Sequence, residues 1–333
     1  MPEGAPETPC TVCCCTLTNK VLVLLFMVLL ILAILLGNAV TLAVILGTKH
    51  FRTPHGYLKA SLAVADLSVG VFVVPLSVYA ETSILVQSEP EWTRSDSRRA
   101  PLHPCAFAGP VFAACTLVSI STIFLLSIER SIAVLRPLHK GAVLTRKRTS
   151  ILIVASWLGS LVLAVSPMLH SDGVALEYNA CSRMCNYARR ASPGASWNIL
   201  LLFPAFDFAL LGGTVAVNAL SLSSIRQHSK RRQRLAEADA ARRVAGPAFS
   251  DVKAAKTIGA LTLAFAASFS PIAVFVVGNV LGNEWCNFSF FAFWTLTTNS
   301  CCNALVYSIR DQKFRQRAQQ LLAPLRARSV SKT

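Results

Sequence analysis

The sequence predicts an all-α membrane protein, a bundle of seven transmembrane helices followed by a short amphipathic eighth helix. Of its 333 residues, 53% are hydrophobic and only 14% are charged, whereas soluble domains carry about 25% charged residues. Several apolar segments are longer than the roughly 18 residues that mark a membrane span. Lys and Arg are concentrated in every second connection between these segments. This composition argues against a soluble enzyme.

Seven apolar segments are predicted to cross the membrane, and we number them span 1 to span 7. Each reaches the ~20 helical residues that cross the hydrocarbon core, and all are far too long for barrel strands. They lie at residues 21–47, 56–80, 104–134, 151–170, 196–224, 256–281 and 288–309. The first segment is too long for a signal peptide and no small-residue cleavage site follows it, so we expect it to be span 1.

The chain is expected to divide into an N-terminus at 1–20, a bundle at 21–309, and an eighth helix with its tail at 310–333. The connections after spans 1, 3 and 5, together with the tail, hold 25 of the 32 Lys and Arg residues. Because basic connections stay in the cytoplasm, we expect the N-terminus outside and the tail inside, in the plasma membrane. This topology explains the net charge of +16, and no nucleic-acid partner is expected because the basic residues do not share one folded face.

Eight of the eleven cysteines lie outside the predicted bundle or at its outer rim, where disulfides persist. The other three are within spans, at Cys115, Cys301 and Cys302. The run 13–15 lacks the His or second Cys pair of a zinc site, so no zinc is expected. Asn287 opens a glycosylation sequon at the outer edge of span 7, very close to the membrane.

Several polar residues are placed where the chain should be surrounded by lipid. A charge at mid-membrane costs at least ~2.5–3.5 kcal/mol, so each one is a functional candidate. The charged candidates are Asp66 in span 2, Glu129 and Arg130 at the end of span 3, and Asp207 in span 5. The uncharged candidates are Asn38, Ser119, Asn299, Ser300 and Asn303. By themselves they fit either polar contacts between helices, worth roughly 0.6 kcal/mol per pair, or a connected switch.

Eight landmarks occur in one order along the spans. They are Asn38, Asp66 within Leu62-Ala63-Val64-Ala65-Asp66, Cys105, Arg130, Trp157, Pro204, Pro271 and the run Asn303-Ala304-Leu305-Val306-Tyr307. Over residues 21–322 the chain therefore resembles the rhodopsin-like (class A) G-protein-coupled receptors. The resemblance implies a receptor, and not an enzyme, that binds an extracellular ligand in the bundle and activates a heterotrimeric G protein.

The resemblance also implies a disulfide and a cation site. Cys105 matches the family's cysteine at the top of span 3 and Cys185 its partner in the second extracellular loop, which leaves Cys181 to pair with Cys286 or with an N-terminal cysteine. An allosteric sodium pocket, with no other cofactor, would be formed by Asp66, Ser119, Asn299, Ser300 and Asn303. The alternative is a protonated Asp66 among hydrogen-bonded neighbours.

Further residues match the family's switch. Ile120, Pro204 and Phe265 correspond to a packing relay beneath the ligand pocket. Arg130 would pair with Glu129 and Asp251 in the inactive state and turn toward the G protein on opening, with Tyr307 completing the switch. The loop at 137–138 would pack against the G protein, and the eighth helix would begin at 310–315.

Three positions depart from the family pattern and lower the expected efficiency of coupling. Ala304 replaces a Pro in span 7, Phe269 replaces a Trp two residues before Pro271, and Gly212 replaces a Tyr in span 5. Each departure removes a side chain that the family uses in its switch. The expected fold is unaffected.

The stretch from Phe51 to Pro75 and Trp294 look most like the biogenic-amine and trace-amine branch. That branch anchors its cationic ligand on an Asp, and Phe112 stands at the corresponding position of this chain. The Tyr that helps to enclose the ligand's ammonium group is replaced here by Thr297. We expect an aromatic, mostly apolar ligand site for a small organic molecule. Its predicted residues are Phe112, Cys115, Thr116, Phe203, Phe269, Phe275, Phe293, Trp294 and Thr297.

These features favour a divergent chemosensory (odorant-type) or orphan receptor. An amine receptor anchored on Asp207 or Glu81 is the alternative, although we expect Asp207 to lie too deep. A membrane transporter would need ionisable residues along a pathway and repeated or broken helices. A retinal-binding opsin would need a Lys within 288–309, and this sequence has none there. No nucleophile–base pair or metal-ligand set is found in any span.

Overall fold

The computed structural model describes residues 17–87, 104–135, 145–170, 174–189, 199–238, 249–283 and 285–330. Within these residues, seven long helices form the predicted bundle and an eighth helix follows span 7. The spans are Leu17–Gly47; Pro54–Ser68 continued by Val69–Val73 and Val74–Gln87; Pro104–Leu135; Arg146–His170; Leu202–Ala238; Phe249–Val280; and Cys286–Arg310. The eighth helix is Gln312–Val330. The predicted fold class is confirmed.

The helices extend beyond the apolar segments that predict them. Span 5 begins at Leu202, after a short 3-10 turn at Ile199–Leu201, and continues to Ala238 instead of ending at 224. The reason is physical: hydropathy marks only the part that crosses lipid, whereas a helix continues into water on polar residues. Predicted span boundaries are therefore the least accurate part of the sequence analysis.

Span 7 lacks the long apolar stretch that the other six spans contain. Six of the described helices are long and apolar enough to cross a membrane by composition alone, and span 7, with 25 residues, is the exception. Its polar side chains point into the bundle, because Thr297, Asn299, Ser300 and Asn303 are all buried. A helix that is enclosed by other helices does not need a uniformly apolar surface.

Span 4 illustrates how the bundle separates lipid from core. Leu158 and Val162 are 60% and 67% exposed on its outer face, where lipid tails would cover them. On its inner face, the Trp157 Nε1 donates a hydrogen bond to the Ser61 Oγ of span 2 at 3.0 Å. Such polar contacts fix helix packing in lipid, where burial alone provides no driving force between helices.

The connection between spans 1 and 2 is tight. Thr53 caps span 2, because its Oγ1 accepts a hydrogen bond from the Gly56 N–H at 3.2 Å, and Pro54 occupies the first helical position. A side chain at Gly56 would collide with the backbone carbonyl of Phe51. Glycine is therefore required for this close approach.

Span 2 contains a π-helical turn at Val69–Val73, directly above Asp66. Pro75 lacks the N–H that would bond the Val71 carbonyl, which favours a local change of helix geometry. Gly70 lies against span 1 in this turn, and an added Cβ would be 2.7 Å from the Ile34 Cγ2. The turn is therefore packed closely against span 1.

A two-stranded antiparallel hairpin, Val174–Asn179 with Met184–Arg189, lies over one end of the bundle. Disulfides tie it to two spans, Cys105–Cys185 to span 3 and Cys181–Cys286 to span 7. The first is the pairing implied by the resemblance, and the second resolves the open choice for Cys181. The tip of the hairpin is buried, since both Ser182 and Met184 are 0% exposed.

Candidate functional site

A cavity of about 830 Å³ lies among spans 3, 5, 6 and 7 beneath the hairpin. This volume is within the range of small-molecule sites, about 300–1,000 Å³. Five of the nine predicted ligand-binding residues line it: Phe112, Thr116, Phe203, Phe275 and Phe293. Phe293 stacks on Phe112 with ring centroids 6.1 Å apart and meets Phe275 edge-on at 5.7 Å. The predicted aromatic wall is therefore present.

The other four predicted ligand residues do not line this cavity, and the hairpin tip explains two of them. The Trp294 Nε1 donates to the Ser182 carbonyl at 2.9 Å, and the Thr297 Oγ1 lies 3.8 Å from the Met184 Sδ. Met184 belongs to the buried core of the bundle. The chain's own loop therefore occupies the space beside spans 2 and 7 that sequence analysis assigned to the ligand.

Cys115 and Phe269 also face the core instead of the cavity. Phe269 is 1% exposed and stacks on Phe265 with ring centroids 4.0 Å apart. Phe265 and Ile120 are both 1% exposed in the same core cluster, and Pro204 is buried above them. Ile120 and Phe265 therefore lie together in the bundle interior, whereas Pro204 also lines the cavity.

Asp207 lines the cavity, so the expectation that it lies too deep is wrong. Pro204 also lines the wall, and residues three apart share one face of a helix, so the cavity continues down span 5 to Asp207. The side chain is 7% exposed, and its Oδ1 accepts no hydrogen bond from any residue that the structure describes.

Glu81, the other candidate anchor, is already paired. Its carboxylate accepts hydrogen bonds from the Tyr178 Oη at 2.7 Å and from the Arg183 Nη1 at 2.8 Å. Burial and the neighbouring Glu81 raise the pKa of Tyr178, so this hydroxyl stays protonated and donates. Arg183, which has a positive φ of 54°, lies 5.8 Å from the Phe290 ring centroid. Glu81 thus fastens the hairpin and does not line the cavity.

The predicted sodium residues are buried together between spans 2, 3 and 7. The Asn303 Nδ2 donates to the Asp66 Oδ2 at 3.0 Å, and Ser300 also hydrogen-bonds the Asp66 carboxyl. Ser119 and Asn299 are 5% and 4% exposed. Oxygen donors around a carboxylate are the ligand set that a hard cation prefers. In the part of the chain that the structure describes, no cationic side chain pairs with Asp66.

Span 1 is fastened to this polar core. The Asn38 Nδ2 donates to the Ser300 carbonyl at 2.8 Å and to the Ile34 carbonyl at 2.9 Å. Nearby, an added Cβ on Gly37 would be 2.9 Å from the Ala304 Cβ. Ala304, which replaces the family's Pro, therefore packs against a glycine at the contact between spans 1 and 7.

At the end of the bundle opposite the hairpin, Glu129 meets two basic groups. The Arg130 Nε is 3.4 Å from the Glu129 Oε2, as predicted, and the His55 Nδ1 of span 2 is 3.2 Å from the same oxygen. The contact of His55 was not predicted from the sequence; its position in the first turn of span 2, at the depth of Glu129, was the available signal. Asp251 lies in span 6, but its side chain is outside the described residues, as is the loop at 137–138.

Tyr307 is 2% exposed and is covered by a second unpredicted contact. The Lys59 Nζ lies 4.3 Å from the Tyr307 ring centroid and 3.8 Å from the Asp311 Oδ2. Asp311 also caps the eighth helix, accepting a hydrogen bond from the Phe314 N–H at 3.1 Å. Phe314 packs on Tyr307, so the eighth helix is joined directly to the switch region.

Two further sequence candidates are on the surface. Asn287 is exposed at the start of span 7, next to the disulfide-bonded Cys286, and its glycosylation stays a prediction. Gly212 is exposed on span 5, and an added Cβ would meet nothing within 4 Å. A larger side chain is therefore sterically allowed at the position where the family has Tyr.

The fold and this arrangement of a cavity above a buried polar core define a seven-helix membrane receptor. The sequence profile of the 7 transmembrane receptor (rhodopsin family) matches residues 37–307. The chain belongs to this family; it is a multi-pass G-protein-coupled receptor and not an enzyme. The resemblance found in the sequence is confirmed, and the transporter alternative is removed.

Individual relatives are similar over the whole chain or over about half of it. The 5-hydroxytryptamine receptor 1B of Didelphis virginiana is 24% identical over 353 aligned residues, covering 91% of this chain and 86% of that receptor. The receptor of the same name from Mus musculus is 31% identical over 159 residues, covering 47% and 38%. Neuropeptide receptor 22 of Caenorhabditis elegans is 29% identical over 154 residues, covering 46% and 33%. These names indicate different ligand chemistries, so the comparisons leave the ligand open.

Proposed function

We propose that this receptor binds a small extracellular ligand in the cavity beneath the hairpin and activates a heterotrimeric G protein at its opposite end. The observation that carries the proposal is the cavity of about 830 Å³, which lies above a buried core, with the Glu129–Arg130 pair at the far end of span 3. The lining is mainly apolar and aromatic, as in sites for small organic ligands. A chemosensory role is consistent with this wall and stays a prediction.

The test is nucleotide exchange on purified G proteins by the full-length receptor. Arg130→Ala is expected to reduce exchange at least tenfold, because Arg130 is the group proposed to engage the G protein. Arg146→Ala is the matched control, since Arg146 is an exposed basic residue at the start of span 4. Equal exchange by the wild type and Arg130→Ala, or equal loss in both variants, would contradict the proposed coupling role.

We also propose an orientation, with the N-terminus outside the cell and the eighth helix in the cytoplasm of the plasma membrane. Its support is the 25 of 32 basic residues placed on the proposed inner side and the two disulfides at the opposite end. An antibody against an N-terminal tag should label intact cells. Labelling only after permeabilisation would show that the N-terminus is inside the cell and would contradict the proposed orientation.

A sodium ion held by Asp66 is the third part of the proposal. The buried carboxylate accepts a hydrogen bond from the Asn303 Nδ2, lies among side chains that also carry amide and hydroxyl oxygens, and has no described cationic partner. Replacing potassium by sodium is expected to raise the apparent melting temperature of the wild type, since an ion that binds only the folded state stabilises it. Asp66→Asn should abolish the difference between the two salts. A wild type that melts equally in both would leave the protonated Asp66 as the better description.

A further inference from the structure

We infer that the ligand is a small organic cation that carries a second hydrogen-bond donor, with Asp207 binding the cation and Asn186 the second donor. The inference deepens the proposed ligand-binding function and rests on it. Its basis is a pair of buried oxygens, the Asp207 Oδ1 and the Asn186 Oδ1, which belong to residues lining the same cavity. Neither oxygen accepts a hydrogen bond from a described residue.

Asp207 favours a ligand that carries a cation. A carboxylate in a spanning helix is costly unless a positive charge or hydrogen-bond donors compensate it. Asp207 is 7% exposed, and the described residues lining the cavity include no Lys, Arg or His. The wall therefore presents a negative group and lacks its counter-charge, which disfavours anionic ligands and favours a ligand that brings a protonated nitrogen.

Aromatic side chains surround the region where the body of such a ligand would lie. Phe203 is four residues before Asp207, so both occupy one face of span 5 and both line the cavity. Phe112, Phe275 and Phe293 form part of the remaining wall. Aromatic faces attract cations within about 6 Å and also pack against flat organic groups. An arylalkyl cation fits this combination better than a polar zwitterion.

Asn186 supplies the second recognition point. It is 8% exposed on the second strand of the hairpin, and its Nδ2 is committed to the Ser182 Oγ at 3.3 Å. The amide oxygen is therefore left as an acceptor, and it is satisfied by a hydroxyl or N–H of the ligand. The adjacent Cys185 is fixed to span 3 by its disulfide, which holds this part of the hairpin against the cavity.

The two acceptors are on different elements, span 5 and the hairpin, so they specify both a charge and an orientation. The charged end of the ligand lies toward span 5, while Phe112 fills the corresponding position on span 3. Recognition from span 5 thereby replaces an anchor on span 3. This arrangement accounts for an amine site in a chain that has no acidic residue at the span 3 position.

Three related compounds test the chemistry on the full-length receptor in lipid nanodiscs, with ligand-induced thermal stabilisation as the measure of affinity. Tyramine has an ammonium and a phenol, 2-phenylethylamine lacks the phenol, and tyrosol replaces the ammonium by a neutral hydroxyl. Tyrosol is expected to bind at least about 30-fold more weakly than tyramine because a buried charge pair is lost. Phenylethylamine should bind about fivefold more weakly than tyramine, the effect of one neutral hydrogen bond.

Variants identify the partners of the two ends. Asp207→Asn should weaken tyramine binding about 30-fold, and Asn186→Leu should weaken tyramine without affecting phenylethylamine. Glu177→Gln is the matched charge control, because Glu177 is exposed on the first strand and does not line the cavity. It should leave all three affinities unchanged.

Several results would overturn the inference. The first is that tyrosol binds as tightly as tyramine, and the second is that Asp207→Asn keeps the wild-type affinity for tyramine. The third is that neither amine stabilises the receptor at about 10 mM, a concentration that would fill even a site with a millimolar dissociation constant. Nucleotide exchange measured on the same samples separates this inference from the proposed function. If amines bind in an Asp207-dependent way but nucleotide exchange is absent, the cation site is supported and the proposed G-protein coupling is contradicted. If nucleotide exchange occurs but no amine binds, the coupling is supported and the cation site is contradicted.

Discussion

Replacing Glu81 by Gln is expected to loosen the hairpin that covers the cavity. In the structure the Glu81 carboxylate accepts hydrogen bonds from the Tyr178 Oη at 2.7 Å and from the Arg183 Nη1 at 2.8 Å. The Arg183 and Glu81 side chains are only 6% and 10% exposed, so water screens this ion pair very little. Glutamine can still accept the bond from Tyr178, but it leaves the Arg183 guanidinium without a counter-charge.

The size of the effect follows from that uncompensated charge. Removing one partner of a buried ion pair costs roughly 3–5 kcal/mol, and we take about 3 kcal/mol because Gln keeps one hydrogen bond. At about 2 °C per kcal/mol for a large domain, the apparent melting temperature should fall by about 6 °C. Removing both charges is less harmful, so Glu81→Gln with Arg183→Gln should recover at least about half of this loss.

The assay is thermal unfolding of the purified receptor at one fixed scan rate, since large membrane proteins commonly unfold irreversibly. Glu177→Gln provides the control for removing an acidic residue from the same side of the protein, because Glu177 is exposed. It should change the melting temperature by about 1 °C or less. The reasoning is refuted if Glu81→Gln is no worse than this control, or if the double variant loses more than the single one.

Three other substitutions test separate contacts. Gly37→Ala should destabilise the fold by about 1–3 kcal/mol because its Cβ would be 2.9 Å from the Ala304 Cβ. Adding Ala304→Gly to the same chain should restore the stability. A double variant that is less stable than Gly37→Ala alone in the unfolding assay would contradict this. Lys59→Met should raise basal nucleotide exchange about fivefold, since Lys59 lies 4.3 Å from the Tyr307 ring centroid; unchanged exchange would argue against a restraining contact. Cys181→Ser should cost about 2–4 kcal/mol by opening the link to span 7, and a melting temperature equal to wild type would show that the bond is dispensable.

The sequence predicts the bundle well because hydropathy, basic connections and buried polar residues each depend on depth in the membrane. Asp66 and Asn303, for example, are far apart in the chain, yet their depths and spacing place them together, and a hydrogen bond of 3.0 Å joins them. Depth does not fix which way a side chain faces around its helix. The sequence also does not show how far the cavity extends along span 5, so Asp207 was expected below the cavity although it lines the wall.

The sequence did not predict contacts that depend on loops or on the packing of two distant elements. The tip of the hairpin carries no periodic pattern, so its burial beside Trp294 and Thr297 had no signal in the sequence. His55 and Lys59 are ordinary basic residues in the first two turns of span 2. Their contacts with Glu129 and Asp311 depend on how spans 2, 3 and 7 pack together, which a single sequence does not specify.

The π-helical turn at Val69–Val73 sets the rotational register of the second half of span 2, Val74–Gln87. A turn that accommodates one extra residue advances everything beyond it by about 100° relative to an uninterrupted α-helix. Glu81 is in that second half, so its alignment with Arg183 depends on a backbone irregularity more than two helical turns away. Deleting a single residue from this turn would keep every side chain of the contact and still point the carboxylate elsewhere.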